Sequence, residues 1–208
     1  MSQPFDRGAV CPAPAEPDEK LDEFWSGSAW RISSSHNLSG YERNRTYLNT
    51  GTGDFVDISH ITGADSDGDA RSSVAVDLNH DGRLELVVRQ VGGGPLKVFS
   101  NNFPQKHWIQ VSLRGVESNR QGIGARLVAK VGERQIVREI FPANSYLSQT
   151  PATAHFGLGN NDKVDTLTIR WPNRKEQIIE NISADQHLII CEDNPEPAKI
   201  IPGKPYPF

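Results

Sequence analysis

Between residues 41 and 191 the apolar side chains recur with a period of two, in short runs, and that period sets what the chain can become. His107-Trp108-Ile109-Gln110-Val111-Ser112-Leu113 alternates without a break, and successive side chains of a β-strand point to opposite faces. Similar runs lie at 46–49, 55–59, 73–76, 84–88, 96–100, 125–131, 134–140, 154–156, 166–171, 177–179 and 187–190. Turn formers separate them, as in Thr50-Gly51-Thr52-Gly53-Asp54 and Gly92-Gly93-Gly94-Pro95. No helical period persists beyond about two turns. With 18 glycines, 14 prolines and one methionine in 208 residues, the expectation is an all-β protein.

The spacing divides the chain. Residues 1–29 hold Pro4, Pro12, Pro14 and Pro17 among charges and read as a flexible lead-in. Residues 30–104 open on a strand at Trp30-Arg31-Ile32-Ser33, and from Tyr41 the short β units read as a four-stranded antiparallel repeat, the size of one propeller blade. A lone blade exposes an apolar face and must pack on something. Residues 105–193 supply it, reading as an antiparallel β-sandwich with Trp108, Phe156 and Trp171 in its core. Residues 194–208 form a proline-rich tail.

Net charge is −4 with no basic stripe, which argues against a nucleic-acid partner. No apolar run approaches the roughly 20 residues of a membrane span. The start, Met1 to Arg7, lacks a basic segment followed by an apolar one, so no signal peptide is visible. The chain therefore reads as cytoplasmic as given, or as part of a longer precursor. Cys11 and Cys191 are read as two isolated thiols rather than a bridge between the ends.

One stretch carries chemistry. In Asp77-Leu78-Asn79-His80-Asp81-Gly82-Arg83-Leu84-Glu85, oxygen-bearing side chains occupy positions 1, 3, 5 and 9, with glycine at 6. Calcium takes six to eight oxygens at about 2.3–2.6 Å, and a curling chain supplies them from alternate residues. The ligands would be the Asp77, Asn79, Asp81 and Glu85 side chains and the Arg83 carbonyl. Val88 stands where an EF-hand needs its bidentate carboxylate, and both flanks read as strands, so the element is strand-loop-strand. An Asx-rich turn without metal fits the same residues. Asp65, Asp67 and Asp69 either add oxygens or form an exposed acidic turn, and Asp57 reads as a surface residue.

With these residues in place, 30–102 resembles the terminal calcium-type repeat, of FG-GAP or VCBS class, of the cartilage acidic protein-like family. The match lies in Ser39-Gly40-Tyr41-Glu42-Arg43-Asn44, Leu48-Asn49-Thr50-Gly51, Phe55-Val56-Asp57-Ile58-Ser59 and the 77–85 loop. Residues 107–192 resemble the ASPIC/UnbV domain through His107-Trp108, 118–126, Ser145-Tyr146-Leu147-Ser148-Gln149, His155-Phe156-Gly157-Leu158-Gly159 and Arg170-Trp171-Pro172. The resemblance implies an extracytoplasmic, calcium-stabilised, non-catalytic module that recognises a protein or glycan, its lone blade open to pairing with another chain.

The alternative is an enzyme or biosynthetic accessory protein with a small-molecule pocket near Arg120, Tyr146 and His155. Asn119 and Arg120 lie in a glycine-punctuated loop whose amides and guanidinium suit an anionic or sugar-like ligand. Gly122 and Gly124 suit a bulge or close sheet packing equally well. A serine hydrolase would need Ser, His and an acid in contact, and no Gly-x-Ser-x-Gly elbow is present. The six histidines show no metal-binding spacing.

Overall fold

A computed structural model of the chain describes residues 3–4, 36–37, 43–68, 70–90, 95–146, 148–194, 196–202 and 204. The expected strand at 30–33, Asp69, the 91–94 turn, Cys11 and nearly all of the lead-in lie outside them. The chain divides into two compact units, Met1–Ser73 with Val87–Phe99, and Val74–Leu86 with Ser100–Phe208.

Early in the chain, β1 (Gln3–Pro4) pairs antiparallel with β2 (His36–Asn37). The hairpin β3 (Tyr47–Asn49) and β4 (Phe55–Asp57) follows, in the register Leu48 to Val56. The second strand, expected to run to Ser59, stops at Asp57. Asp57 Oδ1 accepts the Ser59 N–H at 2.9 Å and also its hydroxyl, a local bond that competes with the ladder. One turn of helix, α1 (Ser59–Thr62), results, closed by Gly63 in the left-handed region. Next come β5 (Ala70–Val76), β6 (Glu85–Gln90) and β7 (Lys97–Phe99), a three-stranded sheet in that order. Among the described residues, the expected four-stranded sheet is thus a hairpin and a separate three-stranded sheet, with the helical turn between them.

The second unit holds the sandwich. One sheet has the order β10-β9-β14-β15, from β9 (Arg126–Val131), β10 (Arg134–Glu139), β14 (Lys163–Arg170) and β15 (Glu176–Ser183). The other is β13-β8-β16-β17, from β8 (His107–Arg114), β13 (Thr153–Gly159), β16 (Gln186–Cys191) and β17 (Ala198–Lys199). Strand β17 recruits part of the proline-rich tail as an edge. A small hairpin, β11 (Ala143–Asn144) and β12 (Ser148–Gln149), turns the chain between β10 and β13. The sandwich is not wholly antiparallel, because β16 pairs parallel to β8. All of the other sheet lies between them in sequence, which supplies the long connection a parallel pair requires.

Alternation fills the space between the sheets. Ile109, Val111 and Leu113 of β8 share one buried cluster with Leu127, Ala129 and Val131 of β9, with Phe156 and Trp171 fully enclosed. In β14 and β15 the buried positions change parity, from Val164 to Leu167 and from Ile179 to Ile182. Asn181, at φ 56°, sits at that change, so each strand keeps its apolar residues inward despite the break. Cys191 is a buried thiol.

Replacing the fully buried Phe156 with alanine is expected to destabilise the sandwich by ~3–5 kcal/mol. Urea unfolding followed by circular dichroism measures it, and a cost below ~1 kcal/mol would displace Phe156 from the core.

Candidate functional site

Strand β8 points Ile109, Val111 and Leu113 into the core, so Trp108, Gln110 and Ser112 point to the other face of their sheet. That face should be wet, yet Trp108 is 9% and Gln110 8% exposed. The 77–85 loop, which belongs to the same unit, covers them. Gln110 Nε2 donates to Asp77 Oδ2 at 3.1 Å. His155, opposite Gln110 in β13, meets the Gly82 carbonyl through Nε2 at 2.8 Å and stacks on Trp108 with ring centroids 6.3 Å apart. Trp108, expected in the sandwich core, is therefore a floor for the loop instead. Period two excludes it from the core, and only its neighbour across the outer face explains its burial.

The loop's curl comes from its own acids. Asp77 accepts the N–H groups of Asp81 (3.1 Å) and Gly82 (3.0 Å), and Asn79 Oδ1 accepts that of Asp81 at 3.2 Å. Asp81 Oδ1 accepts the Arg83 N–H at 2.8 Å, and Glu85 Oε2 accepts the Leu78 N–H at 2.9 Å. Gly82 has φ 86°, and a Cβ there would stand 1.9 Å from the Trp108 ring nitrogen. The expected sharp turn is present, and it is also the point of contact.

Asp77 (9% exposed) and Glu85 (6%) are buried carboxylates. Among the described residues neither has a cationic side chain in an ion pair with it. Asp81 behaves differently: Arg83 donates to its Oδ2 from Nε (3.1 Å) and Nη2 (2.6 Å). Those bonds, then the Arg83 amide, hold its carboxyl well below the usual carboxylate range. No three His, Cys, Asp or Glu side chains gather as a metal-holding group among the described residues. The oxygen donors suit a hard cation in kind; Asp77 and Glu85 are buried without an ion-pair partner among the described residues, whereas Asp81 has Arg83.

Two histidines share this face. Burial pushes the His155 imidazole below its ordinary value, against the Gly82 hydrogen bond. Burial and the nearby His80 do the same for His187, whose Nε2 meets Ser112 Oγ at 2.8 Å.

The groove at Arg120 does not gather the other candidates. Asn119 and Arg120 line a groove of about 850 Å³ whose lining includes neither Tyr146 nor His155. Tyr146 is 63% exposed, and His155 is engaged under the loop. Gly122, at φ 64°, packs close to Leu113. Asp65 is paired with Arg43 at 3.0 Å, and Asp57 with Arg45 at 3.1 Å.

Sequence reasoning missed Glu192. Its Oε2 accepts the backbone N–H groups of Val116 (2.7 Å), Glu117 (2.9 Å) and Ser118 (2.8 Å), while Oε1 accepts Ser118 Oγ and Asn173 Nδ2. Burial opposes the charge, but these donors overcome it and lower the carboxyl from 4.5 to about 2. Three successive amides form an anion nest, and no local signal marks it, because Glu192 arrives from 74 to 76 residues away.

Comparison with known proteins finds two family matches along the chain. Residues 115–197 match the family described as "ASPIC and UnbV", and residues 18–88 match the FG-GAP-like repeat. The chain is 26% identical over 201 residues to human (Homo sapiens) cartilage acidic protein 1, covering 92% of this chain and 29% of that protein. For the Mus musculus protein of that name, identity is 27% over 184 residues, covering 84% and 27%. The chain thus spans under a third of the length of these relatives.

Gly82→Ala forces an L-residue into the left-handed region, at roughly 1–2 kcal/mol, and drives a methyl into Trp108. A total loss of at least ~2 kcal/mol is expected on chemical denaturation, with faster hydrogen exchange at the Asp81 and Gly82 amides; wild-type exchange would mean that the loop does not seat on Trp108. For Glu192, a folded pKa below the unfolded one places its stabilisation above pH 4.5, to be lost as pH falls toward 2. Glu192→Gln should cost ~1.5–3 kcal/mol near neutrality and flatten that acid limb, as read from denaturation midpoints across pH 2–7.

Proposed function

We propose that this chain, whose two segments match the FG-GAP-like repeat and the ASPIC and UnbV family, is a non-catalytic binding module stabilised by calcium, operating outside the cytoplasm and recognising a protein or glycan. The observation that carries the calcium part is the pair of buried carboxylates, Asp77 and Glu85, on a loop of hard oxygen donors. An unpaired buried charge is costly, and a divalent cation is the economical counter-charge for two of them. Asp77, Asn79, Asp81 and Glu85 side chains and the Arg83 carbonyl would hold it. Bound there, the ion supplies charge neutralisation and rigidity. Gln110 and the loop amides orient the carboxylates from behind, as outer partners do in metal sites.

A binding role draws support from exposed apolar side chains. Tyr47, Leu48, Phe55 and Val56 of the β3–β4 hairpin are 44–63% exposed, and a two-stranded hairpin is marginal without a partner. The enzymatic alternative draws no support from the groove at Arg120, whose lining includes neither Tyr146 nor His155. No helix among the described residues is long and apolar enough to cross a membrane.

Calcium at about a hundredfold excess over its Kd should stabilise the fold by ~2.7 kcal/mol, a Tm rise of ~5–10 °C for a chain of this size. Excess EGTA reverses it, and Asp77→Asn or Glu85→Gln abolishes the calcium response. A Tm indifferent to both calcium and EGTA removes the metal from the proposal and leaves the binding module.

A further inference from the structure

The groove that contains Arg120 is built on the same outer face of the sandwich, away from the residues that meet the 77–85 loop. Its charged lining is Arg114 and Arg120, and no Asp or Glu lines it among the described residues. In a chain of net charge −4, that is a local reversal of sign. Ile123, 37% exposed, lines the same groove, and Pro151, Ala152 and the buried Ile189 add apolar surface to it.

Three of the four polar uncharged side chains that line it, Ser112, Thr153 and Asn119, are already engaged, and Gln121 is the fourth. Ser112 Oγ bridges Thr153 Oγ1 at 3.0 Å and His187 Nε2 at 2.8 Å. The Asn119 amide is closed on the Ile123 backbone, donating and accepting at 2.8 Å. What remains available is the Gln121 amide and, next to apolar surface, charge: among the described residues the Arg120 guanidinium makes no hydrogen bond or ion pair. Its backbone is held in place, with the Arg120 carbonyl accepting the Gly115 N–H and the Asn119 carbonyl that of Gly122. An unpaired guanidinium in a groove with an apolar wall favours a carboxylate flanked by an apolar side chain.

We infer that this groove binds an acidic peptide segment of a partner protein, Arg120 gripping a carboxylate while Ile123, Pro151 and Ala152 take a neighbouring apolar side chain. The inference rests on the binding-module reading and names the partner's chemistry.

The test is fluorescence anisotropy on the full chain with a labelled hexapeptide of alternating aspartate and leucine. Its counterpart with asparagine for aspartate, and a heparin-derived sulfated octasaccharide, are the comparison probes. The expected result is saturable binding of the acidic peptide that weakens with salt, with at least a tenfold loss for the asparagine peptide. Arg120→Gln should give a similar loss with an unchanged melting curve, whereas Lys130→Gln, on the outer face of the other sheet, leaves affinity unchanged. Absence of binding, equal affinity for both peptides, indifference to Arg120→Gln, or preferential Arg120-dependent binding of the octasaccharide each overturns it. Melting in calcium and EGTA, run in parallel, tells the two ideas apart. A calcium response without peptide binding sinks only the groove, and peptide binding without a calcium response sinks only the metal.

Discussion

A carboxylate removed from water must be met by donors, and Asp77 is met by three: the amides of Asp81 and Gly82 and the side chain of Gln110. The first two bend the loop between β5 and β6 into its curl, and the third fastens that curl to β8. The burial of Trp108, the stack of His155 and the contact at Gly82 all follow from that fastening. An uncovered β8 would present an indole and an amide to solvent on a face that alternation alone leaves open.

Glu192 repeats the same physics at the opposite end of β8. There, too, an acid from one strand terminus gathers the amides of a turn, at Val116, Glu117 and Ser118. Two buried carboxyl groups, near opposite ends of β8, thus each hold a loop. The exposed pairs, such as Arg126 with Glu139 or Lys163 with Asp165, contribute little by comparison because water screens them. Asp77 and Glu192 both organise backbone, each by accepting amide N–H groups of a neighbouring turn.

The outer face of the β13-β8-β16-β17 sheet consequently carries nearly everything with functional promise. The loop covers one part of it, the Ser112–Thr153–His187 network ties the middle, and the Arg120 groove opens beyond. The core face of the same strands is aliphatic and aromatic throughout. One strand, β8, serves both, since its odd positions feed the core and its even positions the outer face.

The period-two runs, the turn residues and the oxygen spacing of 77–85 were enough to determine an all-β chain, its sandwich strands to within a few residues, and the sharp turn at Gly82. Those are local properties: alternation follows from strand geometry, and a positive φ from the lack of a Cβ. Tertiary structure alone decided that Trp108 is a floor for a loop rather than core, that β16 runs parallel to β8, that Asp57 halts its strand, and that Glu192 fills a nest over 70 residues away. Each depends on which surfaces meet across long sequence separations, where a carboxylate or an indole takes its role from neighbours that no local window contains.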